Sequence, residues 1–189
     1  MNRRESLTAM LALGAGACSV LPAPKSEEAS IGTTYTAAVP YVPTRPEIVD
    51  AMLELGEIGP KDNVYDLGCG DGRILIAAAK RFGASGLGVD IQNDVIAMAE
   101  AQAQWEGVSN RVKFALRDLF DLDLRPATVV MLYLSVEINI RLRPKFLAEL
   151  RPGSRIVSNR FDMANLWRPN RTIVAAGTPI HLWRVGVPE

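Results

Sequence analysis

Residues 64–74 read VYDLGCGDGRI, in which an apolar segment is followed by an acidic residue and a loop with three glycines. Residues 64–67 predict a short buried strand, and the alanine-rich residues 74–82 predict a helix. Glycine permits backbone angles and a close approach of a ligand that a Cβ atom would prevent. In open α/β sheets, ligands bind beyond the carboxyl ends of the strands. The glycine loop is therefore the predicted binding site.

The spacing of the loop glycines distinguishes between classes of ligand. Gly68, Gly70 and Gly72 follow the pattern G-x-G-x-G, whereas the dinucleotide fingerprint is G-x-G-x-x-G. Asp66, just before the loop, would repel a pyrophosphate but suits the cationic amino-acid end of a sulfonium cofactor. Asp90, at the end of the next predicted strand, is placed to accept hydrogen bonds from both hydroxyls of a ribose. The pattern thus disfavours a nicotinamide-dependent oxidoreductase.

The rest of the chain alternates apolar strands with helices, which is typical of a parallel sheet buried on both faces. Gly177-Thr178-Pro179 predicts a turn between the last two strands. We therefore predict an α/β fold, Rossmann-like and doubly wound, whose mostly parallel seven-stranded sheet ends in an antiparallel C-terminal edge hairpin. The further strands are predicted at residues 86–89, 112–116, 128–134, 155–158, 172–176 and 180–185; a helix is predicted from Pro144, and the structure of residues 136–142 stays open.

The composition limits the possible functions. The chain has 189 residues, with 21 Lys plus Arg and 21 Asp plus Glu, so its formal net charge is zero. Proteins that bind nucleic acid backbones usually carry a basic excess, and this balance disfavours such a partner. A hydrophobic content of 48% with 22% charged residues indicates a folded domain. Cys18 and Cys69 cannot form a disulfide framework, and no Cys/His cluster predicts a metal site.

The N-terminal residues resemble a targeting segment. Paired arginines precede the apolar residues 9–17, and small residues follow. A basic start, a short apolar stretch and a small-residue cleavage site are typical of a secretory signal, and the paired arginines resemble a twin-arginine signal. We predict a signal peptide and linker over residues 1–30, a folded domain over residues 31–189, and a periplasmic or exported protein. A cytoplasmic protein is the alternative.

Two other interpretations of the N-terminal residues stay open. Lipidation of Cys18 would anchor the chain to a membrane, but the leucine usually found three residues before a lipidated cysteine is missing. Residues 1–30 would otherwise be a disordered tail, or follow a misread start codon. No apolar run reaches the roughly 18 residues that span a bilayer, so no transmembrane segment is predicted.

Residues 64–74 resemble motif I of the class I S-adenosylmethionine-dependent methyltransferases. Gly88-Val89-Asp90 is similar to the acidic ribose-binding motif of that family, and residues 117–120, RDLF, resemble the segment that holds the adenine. In that family the side chain at the position of Asp118 bonds the adenine amino group. The resemblance implies a methyltransferase domain with S-adenosyl-L-methionine as its cofactor. The residues predicted to bind the cofactor are Tyr41, Thr44, Asp66, Gly68, Gly70, Gly72, Asp90, Ile91, Asp118 and Leu119. For Tyr41 and Thr44 an ordinary turn before the first helix is an equal alternative.

Three further segments resemble the seven-strand protein-lysine methyltransferases of the archaeal broad-specificity and mitochondrial ATP-synthase c-subunit types. They are residues 41–44 (YVPT), 142–150 (LRPKFLAEL) and 155–161 (RIVSNRF). This resemblance implies a protein substrate that is methylated on a lysine side chain. We expect no nucleic acid partner, and a monomer. A small-molecule methyltransferase and an exported adenosyl-binding module without turnover are the alternatives.

The expected reaction indicates where the acceptor lies. Methyl transfer from a sulfonium is an in-line displacement, which needs a neutral nucleophile held against the methyl carbon. A lysine amine has an ordinary pKa near 10.4 and must first lose its proton, which a dry apolar channel favours. Tyr133 and Ser135 follow the fourth predicted strand and are the candidate catalytic residues of this channel. Packing is an equal alternative for Tyr133.

Other polar residues near these segments are not expected to react. Residues 132–135, LYLS, lack the [DN]-P-P-[YFW] motif that base-amino methyltransferases carry after this strand. His181, the only histidine, is expected to be a surface or packing residue of the C-terminal hairpin rather than a base. Cys69 is expected to be a small spacer between glycines, and Arg73 to pair with a carboxylate near the start of its helix.

Overall fold

The computed structural model describes residues 42–187; the predicted signal segment, Cys18 and Tyr41 lie outside the described residues. The helices are α1 (Pro46–Leu55), α2 (Arg73–Phe82), α3 (Asn93–Trp105) and α4 (Val136–Glu149). The strands are β1 (Asn63–Leu67), β2 (Ser85–Asp90), β3 (Val112–Leu116), β4 (Val129–Leu132), β5 (Arg155–Asn159), β6 (Arg171–Ala175) and β7 (Thr178–Arg184). Single-turn 3-10 helices span Leu119–Asp121 and Ala164–Leu166.

Within the described residues, seven strands form one sheet in the order β3-β2-β1-β4-β5-β7-β6. β1 pairs in parallel with β2 and β4, and β4 pairs in parallel with β5. β7 runs antiparallel to both β5 and the edge strand β6. The strand order reverses at β1, and such a switch point leaves a crevice beyond the carboxyl ends of β1 and β4. The predicted Rossmann-like sheet is confirmed.

The C-terminal hairpin is tighter than its sequence suggests. Ala175 pairs with Thr178, so the turn consists of Ala176 and Gly177 alone. Both turn residues have a positive φ, 46° and 76°, as in the two-residue turns whose twist matches that of the flanking strands. Thr178 therefore belongs to β7 rather than to the turn. The predicted edge hairpin is confirmed, with its turn one residue earlier.

Apolar side chains cover both faces of the sheet, because neighbouring residues on a strand point to opposite faces. On one face, Val64 and Val157 pack in a cluster with α1 and α2. On the other face, Leu67, Leu132 and Ile156 pack in a cluster with α4. We call these the α1/α2 face and the α4 face.

The helix after β4 corrects the interpretation of residues 136–149. It begins at Val136 rather than at Pro144, which lies inside it. Leu142 and Phe146, one turn apart, are fully buried on the α4 face. Burial of these two side chains outweighs the backbone hydrogen bond that proline removes, so tertiary packing overrides the local preference.

Gly88 on β2 lies under the glycine loop without room for a side chain. A Cβ atom there would lie 2.7 Å from Phe114 Cδ1 and 2.8 Å from Cys69 Cβ. We expect Gly88→Ala to lower the free energy of unfolding by roughly 1–3 kcal/mol, because both neighbours would have to move. Gly59→Ala is the control, since the nearest atom to its Cβ would be 3.9 Å away. Urea denaturation measures both variants, and equal stabilities would contradict this packing.

Candidate active site

The glycine loop is held against the end of β2 by its backbone. The N–H groups of Gly68 and Cys69 both donate to Val89 O, at 2.9 and 3.0 Å. Gly68, Gly70 and Gly72 have φ values of 80°, 53° and 76°, in the left-handed region that favours glycine. The loop therefore has one conformation set by β2, and residues with a Cβ atom would be strained at these three positions.

Asp90 joins the loop to the chain that follows β2. Its Oδ2 accepts a hydrogen bond from Gly70 N at 3.1 Å, and its Oδ1 accepts one from Gln92 N at 3.0 Å. A carboxylate oxygen has two lone pairs, so each oxygen can accept one more donor. The half-buried carboxylate thus stabilises the loop and can still receive the hydroxyls of a ribose.

Asp66 lies at the end of β1 and is 2% exposed. Its Oδ2 has no hydrogen-bond partner in the described part of the chain. Burial, together with the charges of Asp90 and Asp71, raises the pKa of this carboxyl to about 8. A cation at this point would supply the missing partner and favour the ionised form. The position suits the ammonium of an amino-acid group.

Arg73 fixes the segment 42–45 to the start of α2. Its guanidinium pairs with Asp71, at 2.6 Å between Nη2 and Oδ2, and its Nη1 donates to Thr44 O at 2.7 Å. The predicted pairing of Arg73 with a carboxylate is confirmed. Thr44, which is buried, is thereby held at the carboxyl end of β1. The prediction for Tyr41 stays a prediction, because it lies outside the described residues.

The other end of the same segment is fixed to the C-terminal hairpin. Arg45 Nη2 donates to Ala176 O, in the turn between β6 and β7, at 2.8 Å. Residues 42–45 are therefore connected to the start of α2 through the Thr44 carbonyl and to the hairpin through the Arg45 side chain. We call these four residues the strap.

The predicted adenine-binding residues lie next to Asp90. Arg117 N donates to Asp90 O at 2.9 Å, which places residues 117–119 beside the end of β2. Asp118 is exposed, and its Oδ1 accepts a hydrogen bond from Phe120 N at 2.8 Å. Ile91 is 58% exposed and Leu119 half-buried. The structure thus brings the predicted ribose and adenine residues together around the carboxyl ends of β2 and β3.

Tyr133 and Ser135, the two residues predicted to line the acceptor channel, make different contacts. Tyr133 is half-buried and stacks on Phe161, with ring centroids 6.3 Å apart and planes 22° from parallel. Ser135 begins α4, and its Oγ accepts a hydrogen bond from Ile138 N at 3.3 Å. Stacking on Phe161 gives Tyr133 a packing contact, and Ser135 acts as a helix cap. Their places in an acceptor channel stay predictions.

Polar residues at the end of β5 were missed by the sequence analysis. Ser158 Oγ donates to Phe161 O at 2.6 Å, and Asn139 Nδ2 donates to the same oxygen at 3.0 Å. Asn159, the next residue along the strand, is also buried. The signal was present in the sequence, since Ser158 and Asn159 are two polar residues that end an apolar strand at its carboxyl edge.

Cys69 and His181 have structural surroundings, as predicted. Burial raises the pKa of the Cys69 thiol above its ordinary value, and the charge of Asp66 adds to this effect, so the thiol stays protonated. His181 is buried, with Nδ1 2.9 Å from Thr172 Oγ1. Among residues 42–187, no group of three or more His, Cys, Asp or Glu side chains could hold a metal ion. No helix in this range is long and apolar enough to cross a membrane.

This geometry is shared with known proteins. The model of a family described as the ANTKMT methyltransferase domain matches residues 66–171, more than half of the chain. The chain belongs to this family. A protein-lysine N-methyltransferase of Saccharolobus islandicus is 42% identical over 141 residues, which are 74% of this chain and 87% of that protein. The adenine nucleotide translocase lysine N-methyltransferase of Mus musculus is 33% identical over 140 residues, which are 74% of this chain and 60% of that protein.

A solved structure has the same fold as this chain. It is an RNA methyltransferase from Salinibacter ruber in complex with S-adenosyl-L-homocysteine, with a TM-score of 0.75 and 43% sequence identity. The match covers 78% of this chain and 97% of that chain. Together with the family match, it identifies this chain as an S-adenosylmethionine-dependent methyltransferase.

The site of this methyltransferase fits the cofactor. Asp66 offers a buried carboxylate oxygen without a partner among the described residues, which suits the cationic amino-acid end. The loop between Gly68 and Gly72 presents backbone without side chains at its three glycines, which permits close contact with a ligand. Asp90 and the exposed Asp118 carry the acceptor oxygens that ribose hydroxyls and an adenine amino group need.

Replacing Asp90 by alanine should weaken cofactor binding. Asp90→Ala removes the acceptor of Gly70 N and the predicted ribose contacts, so we expect the affinity for S-adenosylhomocysteine to fall by about tenfold or more. Asp123→Ala, which removes an exposed carboxylate paired with Arg125, should bind like the wild type. Isothermal titration calorimetry measures both variants. Wild-type affinity in Asp90→Ala would contradict the assigned ribose site.

Asp66 should make the stability of the cofactor-free protein depend on pH. Its pKa is raised from 3.8 to about 8 on folding. Between these values the unfolded chain has released the proton and the folded protein still holds it, so stability falls as the pH rises. We expect urea denaturation to show a larger fall between about pH 5 and pH 7.5 for the wild type than for Asp66→Asn. Asp94→Asn, at an exposed position on α3, should keep the pH dependence of the wild type. An equal fall in stability in all three proteins would refute the role given to Asp66.

Proposed function

We propose that this methyltransferase transfers methyl groups to lysine side chains of proteins. The observation that carries the proposal is the 42% identity to the Saccharolobus islandicus protein-lysine N-methyltransferase, over 87% of that protein. The mouse relative also bears the name of a lysine N-methyltransferase. The match covers 60% of the mouse enzyme, so we do not infer this chain's acceptor protein from the name of that enzyme.

The residues at the acceptor end of the site support an amine acceptor. Tyr133 and Phe161 offer stacked aromatic rings just beyond β4 and β5, and Asn159 offers a neutral amide at the end of β5. Apolar and neutral surroundings disfavour the charged form of a lysine and so favour loss of its proton. When bound, the cofactor supplies an electrophilic methyl group on a sulfonium. The protein then has to orient a neutral amine against that methyl, which is mainly a matter of position.

We propose roles for the residues around the cofactor on the same basis. Asp66 holds the ammonium of the amino-acid end, Asp90 holds the ribose, and Asp118 holds the adenine amino group. Each role requires a carboxylate that keeps a free acceptor site, and these three carboxyl groups lie at the ends of β1, β2 and β3 in turn. The strap and the loop exclude water from the side of Asp66 and thereby strengthen its attraction for a cation.

RNA is the second candidate acceptor, because the Salinibacter ruber relative bears the name of an RNA methyltransferase at 43% identity. The zero net charge of this chain gives no general attraction to phosphate. The LYLS segment at residues 132–135 also lacks the motif associated with base amino groups. These two features favour a protein acceptor.

Labelling of a whole-cell extract distinguishes the two acceptors. We expect the purified protein to transfer labelled methyl from S-adenosylmethionine to protein bands, with the label on lysine by mass spectrometry. Ribonuclease treatment of the extract should leave the signal unchanged, whereas acetylation of its lysines should abolish it. Asp90→Ala is the control with weakened cofactor binding. Label that disappears with ribonuclease would refute the protein-lysine function in favour of RNA, and label found only in small molecules would refute both.

A further inference from the structure

Asn159 ends β5 with a buried polar atom that lacks a partner. Its side chain is 3% exposed, and its Oδ1 accepts no hydrogen bond from the described part of the chain. Leaving a buried amide oxygen unpaired is unfavourable, so such a group calls for an explanation. The surrounding backbone is fixed, because Arg160 N donates to Pro179 O and Phe161 N donates to Asn159 O, both at 2.8 Å. The backbone that carries this side chain is therefore held by two hydrogen bonds.

Asn159 lies on the same face of the sheet as Asp66. Val157 and Val64 both pack in the cluster on the α1/α2 face. Asn159 and Asp66 each lie two residues further along the same strands, and side chains two residues apart share a face. β4 lies between β1 and β5, which separates the two strands by roughly 10 Å. One unpartnered oxygen is thus at the cofactor end of the crevice, and the other lies on the far side of β4.

The strap lies near both ends of this part of the carboxyl edge. The Thr44 carbonyl contacts Arg73 at the start of α2, beside β1, and the Arg45 side chain contacts Ala176 in the turn that precedes β7. This turn lies near Asn159, because Asn159 pairs with Ile180 near the beginning of β7. A ligand that extends from the cofactor towards β5 would run along this edge towards Asn159.

We propose that Asn159 Oδ1 accepts a hydrogen bond from the acceptor amine and thereby orients it for methyl transfer, an inference that rests on the proposed lysine methylation. A neutral amine has two N–H donors and one lone pair. A fixed acceptor on one N–H restricts the direction of the lone pair. That lone pair forms the new N–C bond, the electron pair of the broken S–C bond stays on sulfur, and the product ammonium releases one proton to solvent.

An amide is the suitable acceptor for this purpose. It binds an N–H of the amine through a neutral oxygen. A carboxylate at the same place would bind as well, but its charge would favour the protonated amine, which has no lone pair to donate. This difference predicts how a change from asparagine to aspartate alters the reaction.

The test compares Asn159→Ala and Asn159→Asp with the wild type. Asn63→Asp is the matched control, because Asn63 is the first residue of β1 and so lies at the amino end of its strand, away from the carboxyl ends that form the site. Labelling of lysines in the protein extract gives the rate, and calorimetry gives the affinity for S-adenosylhomocysteine. We expect Asn159→Ala to lower the labelling rate at saturating cofactor by about tenfold. Both Asn159 variants should keep the affinity for S-adenosylhomocysteine within about twofold, which also establishes that they are folded.

The pH profile of Asn159→Asp separates amine binding from a purely structural role. At about pH 8 its labelling rate should be about tenfold or more below that of the wild type, and it should recover as the pH approaches about 10. Asn63→Asp should keep the wild-type profile. A wild-type profile in Asn159→Asp, an equal shift in Asn63→Asp, or loss of S-adenosylhomocysteine affinity in the Asn159 variants would overturn the inference. If the wild type labels no lysine, the proposed function fails together with this inference. If the wild type labels lysines but the pH profile of Asn159→Asp is unshifted, this inference alone is refuted.

Discussion

The hydrogen bond from the Gly70 N–H to the Asp90 carboxylate joins two parts of the site that are far apart in sequence. Together with the two bonds to Val89 O, it sets the glycine loop on the end of β2. The loop then covers the end of β1, where Asp66 is buried. Without this connection the loop would be free to adopt other backbone angles, since its glycines permit many. The site is therefore formed by pairing between neighbouring strands and not by the motif alone.

Three carboxyl groups near the glycine loop have three different surroundings. Asp71 is paired with Arg73, and Asp90 accepts two backbone N–H groups. Asp66 is buried, has an oxygen without a described partner, and its pKa is raised. A cation bound at this point would relieve the unfavourable burial of Asp66 and favour its ionised form. The pairing of Asp71 and Arg73 has a different effect, because it holds the strap over the same edge of the sheet.

The acceptor end depends on a rigid turn after β5 and on the stacked rings of Tyr133 and Phe161. Ser158 and Asn139 both donate to Phe161 O, and this fixes the ring that packs on Tyr133. Tyr133 follows an apolar strand, which predicts a place in the acceptor channel, and this stays a prediction. Ser135 was predicted in the same channel; in the structure it caps α4, and its place in the channel stays a prediction too. Asn159 could not be assigned from the sequence, because its exposure of only 3% at a strand end depends on packing between segments distant in sequence.

The sequence by itself determined the order of strands and helices, the binding loop and its acidic neighbours, because each depends on periodicity or on a short motif within a few residues. It also indicated the family, through residues 64–74 and the segments after them. Only the tertiary structure decided that α4 runs through Pro144, since that outcome depends on the burial of Leu142 and Phe146 against a sheet formed elsewhere in the chain. The same holds for the unpartnered oxygens of Asp66 and Asn159. Whether a buried polar atom has a hydrogen-bond partner depends on contacts between residues distant in sequence, and a local sequence pattern does not predict those contacts.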